Sequence, residues 1–372
     1  MEQECKTVAI VGAGASGCIC AYHLLKSGIP VTLFDKASPL RTLLPTGGGR
    51  CNLAHAEFVP KSLAENYPRG EKFLYSVFSR FSTSDTLDMF SEMGIETYIQ
   101  DNGRIFPISN SAKDVRSIIL DNLRKLGAKF VTREVTNLWQ LMKKYSDVVV
   151  SVGGHSGYDM LEYFDINIIS PKPSLVGLNT KENLKSLAGI VCKNACIEGL
   201  QGDILFTHFG ISGPLVYTIS SYKAFDEMPY DLYIDLLPNL DDFQNILNTN
   251  PQKEIKNVLS MYFPQRVAEY ILQNLDATTK ACNIDGKTRD LILNKIHNFK
   301  VSITGSNNGE ETVTAGGVDL KEINPKTMEL KKVPHLYCIG EVLNIDGLCG
   351  GFNLQNAWSN AYVCAQGILS NH

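Results

Sequence analysis

The segment Gly12-Ala13-Gly14-Ala15-Ser16-Gly17 constrains this chain more than any other stretch of it. It follows a short apolar run, Thr7 to Val11, and opens a helical pattern from about Ala15 to Ser27 that Gly28 closes. A second apolar run, Val31 to Phe34, ends at Asp35. In the order strand, glycine turn, helix, strand and terminal acid, GxGxxG reads as a dinucleotide-binding turn. Each glycine has its own reason. Gly12 permits the tight turn, Gly14 lets a pyrophosphate approach the backbone, and Gly17 lets helix and strand pack closely. Ala15 and Ser16 start the helix, whose free N–H groups and dipole favour phosphate. Asp35 is placed to accept hydrogen bonds from an adenosine ribose. The turn by itself does not separate FAD from NAD.

Three further segments favour the flavin. They are Thr46-Gly-Gly-Gly-Arg-Cys-Asn52, the strand running into Gly153-Gly154, and Gly340-Glu341 followed by Asp346-Gly-Leu-Cys-Gly-Gly-Phe-Asn-Leu354. An NAD site does not need a distant strand that ends in Gly plus an acid and leads into a second glycine loop. FAD is longer, and its ribityl chain and ring must be held beyond the pyrophosphate. The expected cofactor residues are therefore Gly12, Gly14, Ala15, Ser16, Gly17, Asp35, Gly48, Gly49, Arg50, Cys51, Asn52, Gly153, Gly154, Gly340, Glu341 and Asp346. Gly350, Gly351, Phe352, Asn353 and Leu354 belong with them at the start of the last helix, where N–H groups favour negative charge on a reduced flavin. Lys36 and Val135 complete the set.

These segments resemble the BaiN-like flavoproteins, the group that also includes aminoacetone oxidase-type enzymes. The resemblance runs nearly end to end. It is carried by VAIVGAGASG from Val8, TGGGRCN from Thr46, GRIFPISNSAKDV from Gly103, ILFTHFGISGP from Ile204, TAGGVDLKEINPKTME from Thr314 and LYCIGEVLNIDGLCGGFNLQNAWSNAY from Leu336. It implies an FAD domain built from both termini, carrying an inserted β-rich domain and a helical domain. Two features depart from the family pattern. Thr42 stands where the family usually has a lysine, and the Gly- and Ser-rich stretch after Gly154 is shortened. Loops carry specificity, so the second departure bears on the substrate.

The rest of the chain fits the same plan. Residues 71–94 and 111–126 have helical patterns, Asp147 to Val152 is an apolar strand, and residues 165–238 hold short β-like runs with many turn residues. Residues 241–297 are amphipathic and helical, with Pro264 opening one helix. Leu336 to Gly340 is a strand, and a final helix runs from about Phe352 to Leu369. The expected fold is α/β: a Rossmann-like FAD-binding domain over 1–164 and 312–372, a β-rich domain over 165–240 and 298–311, and a small helical domain over 241–297.

Net charge is −4, from 35 basic and 39 acidic residues, which offers no overall field for nucleic acid or an anionic membrane. No apolar run reaches membrane-span length. The ten cysteines are scattered and show no zinc-site spacing, so no metal is expected. With no charged region before an apolar stretch at the N-terminus, a reducing cytoplasm is the expected location.

No residue announces itself as acid or base. His208, in a glycine-flanked segment, is the best histidine, against a structural role that is the better prior. Arg50 is assigned to cofactor or loop, Cys51 and Cys349 to packing, and Arg104 and Phe106 to substrate contact or a turn. The expected activity is FAD-dependent hydride transfer to or from a small organic molecule. It runs either as reduction of an activated C=C bond with NAD(P)H bound transiently, or as amine oxidation with oxygen. A tRNA-modifying flavoprotein and a non-catalytic flavin-binding regulator are the alternatives.

Overall fold

A computed structural model describes residues 6–240, 242–307 and 313–371. The expected junctions at 240–241 and 311–312 fall on or beside residues outside that set. The chain forms two compact units, one running to Lys172 and resuming at Val313, the other starting at Pro173.

The first unit is built on a five-stranded sheet, in the order Leu336–Cys338, Asp147–Val150, Val8–Val11, Val31–Asp35 and Lys129–Thr132. Every neighbouring pair is parallel, with Val8 opposite both Val31 and Asp147. Parallel strands covered on both faces need continuous apolar runs, and Val8–Val11 is buried along its length. Helix Ala15–Lys26 packs against the terminal helix Phe352–Ser370, whose buried side includes Trp358, Ala361 and Ala365. A small antiparallel sheet, in the order Ala54–His55, Arg104–Pro107 and Thr97–Ile99, lies in the same unit.

The helical pattern of 71–94 is two helices, Glu71–Phe78 and Thr83–Met93. Ser82 breaks it by forming a capping box with Asp85, an interaction that starts a helix and cannot sit inside one. Helix Ala112–Lys125 starts at Ser111, whose hydroxyl accepts the Asp114 N–H at 3.2 Å.

The second unit is a closed antiparallel barrel, in the order Val191–Ile197, Leu200–Phe206, Gly210–Ser212, Leu178–Thr180, Phe299–Ser306 and Tyr230–Asp235. The helices between residues 243 and 297 share its core: Phe243, Val258, Val267 and Ile292 lie in one buried cluster with Ile204, Leu232 and Val301. Among the described residues no helix is long and apolar enough to cross a membrane.

Candidate functional site

The fingerprint turn sits at the C-terminal end of the central strand. Gly12 has φ +102°, and a Cβ there would come within 2.2 Å of the Ser151 carbonyl oxygen. A Cβ on Gly17 would come within 2.1 Å of the Gly12 oxygen, so both glycines are required by backbone packing. Gly14 is different. Its φ is −79°, and a Cβ there meets nothing within 4 Å. Helix Ala15–Lys26 begins at Gly14 with no side-chain cap, so its first N–H groups, including those of Ala15 and Ser16, face that open space unpartnered by a side chain. This cradle fits a pyrophosphate. The Asp35 carboxylate accepts the Ala13 N–H at 2.7 Å and the Ala37 N–H at 2.8 Å. Beside it opens a cavity of about 380 Å³ lined by Gly12, Asp35, Lys36, Val135 and Gly157, a position and size that fit adenosine. Lys36 pairs with Glu134 at 3.1 Å on the rim.

Three chain segments converge where the strands end. Gly340 donates its N–H to Asn360 Oδ1 at 3.1 Å, and a Cβ on it would come within 2.3 Å of Ser16 Oγ. Glu341 accepts the Thr314 N–H at 2.8 Å and also the Gly154 N–H. Burial pushes its carboxyl above the usual range, and those two N–H groups oppose the shift. A Cβ on Gly154 would come within 2.5 Å of Thr314, whereas Gly153, at φ +83°, borders open space. The Thr314 hydroxyl and the Asn52 side-chain carbonyl are buried without a protein partner. Orphaned buried polar atoms of this kind suit a ligand with hydroxyl and carbonyl groups of its own.

Two glycine loops lie beyond. In the first, Gly48 and Gly49 are exposed with positive φ and open space beside them. Arg50 donates from Nε to the Gly47 oxygen at 3.2 Å, and its guanidinium lies 4.3 Å from the Phe106 ring centroid. Cys51 is fully buried, and burial pushes its thiol up to about 12, which disfavours the reactive thiolate. In the second loop the Asn353 side chain holds both the N–H and the carbonyl of Gly347, each at 2.8 Å. The Tyr67 hydroxyl donates to the Phe352 carbonyl at 2.6 Å. His55 stacks on the Phe352 ring and donates from Nδ1 to the Gly350 oxygen at 3.1 Å. Helix Phe352–Ser370 starts at Gly351 with no side-chain cap, leaving the first N–H groups, those of Phe352, Asn353 and Leu354, without intrahelical partners.

A family profile described as HI0933-like protein Rossmann domain matches residues 6–367. The chain belongs to the HI0933-like family. It is an FAD-binding oxidoreductase. The ribosomal RNA dihydrouridine synthase of Haemophilus influenzae is 32% identical to this HI0933-like chain, over 96% of it and 97% of the relative. The protein of the same name from Escherichia coli is also 32% identical, over 97% of each chain. The 3-dehydro-bile acid delta(4,6)-reductase of Clostridium scindens is 26% identical, over 96% of this chain and 98% of the relative.

Three of the expected residues have protein neighbours of their own on the HI0933-like scaffold. Asp346 is fully buried in an ion pair with Arg69, which anchors the loop. Gly351 has φ +102°, and a Cβ on it would come within 2.3 Å of the Ala54 oxygen, so the protein itself demands glycine there. His208 belongs to the barrel unit. It is exposed, on the turn after Leu200–Phe206, edge-on to Phe209 at 5.2 Å. Sequence reasoning missed Arg69, Tyr67 and His55. The only local signal for the first two was a turn-like Asn66-Tyr-Pro-Arg-Gly70, and the partner of Arg69 lies 277 positions away. Among the described residues no group of His, Cys, Asp or Glu side chains is gathered to hold a metal.

Proposed function

We propose that this protein reduces the C5=C6 double bond of a uracil in ribosomal RNA, using FAD that a nicotinamide nucleotide keeps reduced. The observation that supports it is the likeness, at 32% identity over almost the whole chain, to two proteins named ribosomal RNA dihydrouridine synthases. The more distant relative is named a reductase of a 3-dehydro-bile acid. The two names share one chemistry: a hydride and a proton are added across a C=C bond conjugated to a carbonyl. When bound, FAD supplies the hydride.

The chain's own groups suit that task. The open turn at Gly14 and the cavity beside Asp35 take the adenosine diphosphate half. The uncapped start of helix Phe352–Ser370 offers N–H groups to negative charge. The chain has no second GxGxxG, so the nicotinamide nucleotide binds only in passing. The net charge of −4 argues against nucleic acid only as an average over the surface, and a local field is what an RNA strand would meet.

The test is anaerobic. Protein reduced with NADPH or NADH is mixed with ribosomal RNA from cells that lack the activity. Flavin reoxidation is followed together with mass spectrometry of the RNA nucleosides. Dihydrouridine formed in step with reoxidation supports the reading. Reduced flavin that ignores RNA but is reoxidised by a small enone overturns the RNA assignment and keeps the C=C chemistry. Reduction of the flavin by an amine, with turnover on oxygen, overturns both.

A further inference from the structure

We infer that Arg50 and Arg104, with the Phe106 ring beneath Arg50, form the surface that takes the RNA strand at the mouth of the site. This rests on the reading of RNA as substrate and names the residues that would hold it.

Three segments supply the glycine loops and the sheet strand beside them: residues 37–56, 102–113 and 347–371. They contain Arg41, Arg50, Arg104 and Lys113 and not one Asp or Glu. Acids flank these stretches at Asp35, Glu57, Asp101, Asp114 and Asp346, so what marks the mouth is the arginines themselves and not a net field. The two arginines are also free of carboxylates. Arg50 bonds to the Gly47 carbonyl and rests on Phe106, and Arg104 reaches Cys349 Sγ at 3.9 Å. Three arginines elsewhere in the molecule are paired with acids, while Arg80, Arg116 and Arg266 bond to backbone carbonyls. Arg69 pairs with Asp346, Arg124 with Asp121 and Arg289 with Asp290.

The stacking geometry adds a second argument. Phe106 is 1% exposed, yet Arg50 above it is exposed. The guanidinium carbon thus lies over a buried ring while the residue as a whole reaches solvent. A flat cation held in this way is a platform for a nucleobase, because bases stack on arginine planes as well as on aromatic rings. Its N–H groups, and those of Arg104 nearby on the Arg104–Pro107 strand, remain to meet phosphate oxygens. Chemistry on a base also requires that the base leave its stack, and a platform at the mouth would hold the neighbour it leaves behind. A cofactor pyrophosphate presents the same phosphate chemistry. The contacts of Arg50 belong to Gly47 and Phe106, and the flavin content of the variants separates the strand from the cofactor.

The experiment uses the FAD-loaded full chain and a labelled single-stranded oligouridylate, with binding read by fluorescence anisotropy across a salt series. Flavin content is read by absorbance after denaturation. The variants are Arg50→Gln, Arg50→Lys, Arg104→Gln and, as a distant surface control, Lys125→Gln. Each glutamine variant at the mouth should weaken binding at least about fivefold, as loss of a stacking or charged contact does. Each should lower the salt slope by about one. Arg50→Lys should keep the slope and still lose affinity, because an ammonium cannot stack as a plane. Lys125→Gln should bind as the unchanged protein does. Oligouridylate binding unaltered in both glutamine variants overturns the inference while leaving RNA as substrate. Flavin lost from Arg50→Gln in proportion to binding also overturns it, and assigns the arginine to the cofactor. An unchanged protein that binds no RNA but reduces a small enone removes the substrate reading itself.

Discussion

The fingerprint turn and the loop before the terminal helix look alike in sequence, yet Gly14 at the centre of the first differs from Gly347 and Gly351 in the second. At Gly14 the backbone is in a conformation any residue adopts, and the space beside it is open. At Gly347 and Gly351 the space is already filled, by the Tyr67 ring and Phe352 at the first and by the Ala54 carbonyl at the second. One turn keeps room beside its backbone, and the other has used that room to fix its own shape. A glycine motif therefore reports close approach without saying what approaches.

That contrast can be broken experimentally. Gly351→Val should cost the fold most. A positive φ costs a branched residue about 1–3 kcal/mol, and the clash with Ala54 adds about 1–3 kcal/mol. The urea midpoint of flavin-free protein should drop sharply. A retained midpoint with altered flavin redox potential would mean that the side chain meets cofactor first. Next is Arg69→Gln, which removes the charged partner of the buried Asp346 carboxylate, a change of the kind that costs up to about 3–5 kcal/mol. If the pair holds the loop as described, the double variant with Asp346→Asn should recover part of that loss.

Gly14→Val should do the reverse of Gly351→Val. Its urea midpoint should stay unchanged, while flavin affinity falls at least about tenfold, the equivalent of an overpacked contact worth ~1–3 kcal/mol. Full flavin occupancy in that variant would remove the pyrophosphate assignment. The smallest effect concerns two thiols in the two glycine loops. Iodoacetamide at mildly alkaline pH should label the exposed Cys349, along with the exposed Cys282, and spare Cys51, whose thiol burial holds at about 12. Peptide mapping that finds Cys51 modified at a comparable rate would show that its loop opens.

Much of this arrangement could be read from the sequence, because local patterns carry local physics. The order of strand, turn, helix and acid from Val8 to Asp35 is contiguous, and so is the entry into the terminal helix at Phe352. What could not be read was made of partners far apart in the chain. The ion pair of Asp346 with Arg69 joins residues 277 positions apart. The Ala54 carbonyl that demands glycine at 351 is likewise remote in the chain. The apolar stripes of residues 243–297 are legible as helices, but nothing local says that they bury on the barrel strands. The break at Ser82 was legible in principle, since Ser-x-x-Asp is a helix-start signal, and the apolar periodicity on either side masked it.

The sheet order has a consequence for how the protein is made. Strand Leu336–Cys338 pairs beside Asp147–Val150, and the helix that covers the fingerprint helix comes later still. Both leave the ribosome only after every residue of the barrel unit has been synthesised. Until then the nascent cofactor unit carries an unpaired strand edge and a bare apolar helix face, while the barrel unit is contiguous and free to finish first. Such exposed edges are where chains aggregate. A chain truncated between about residue 313 and residue 335 and released should therefore have a complete barrel and a sticky, flavin-free remainder, as limited proteolysis would show.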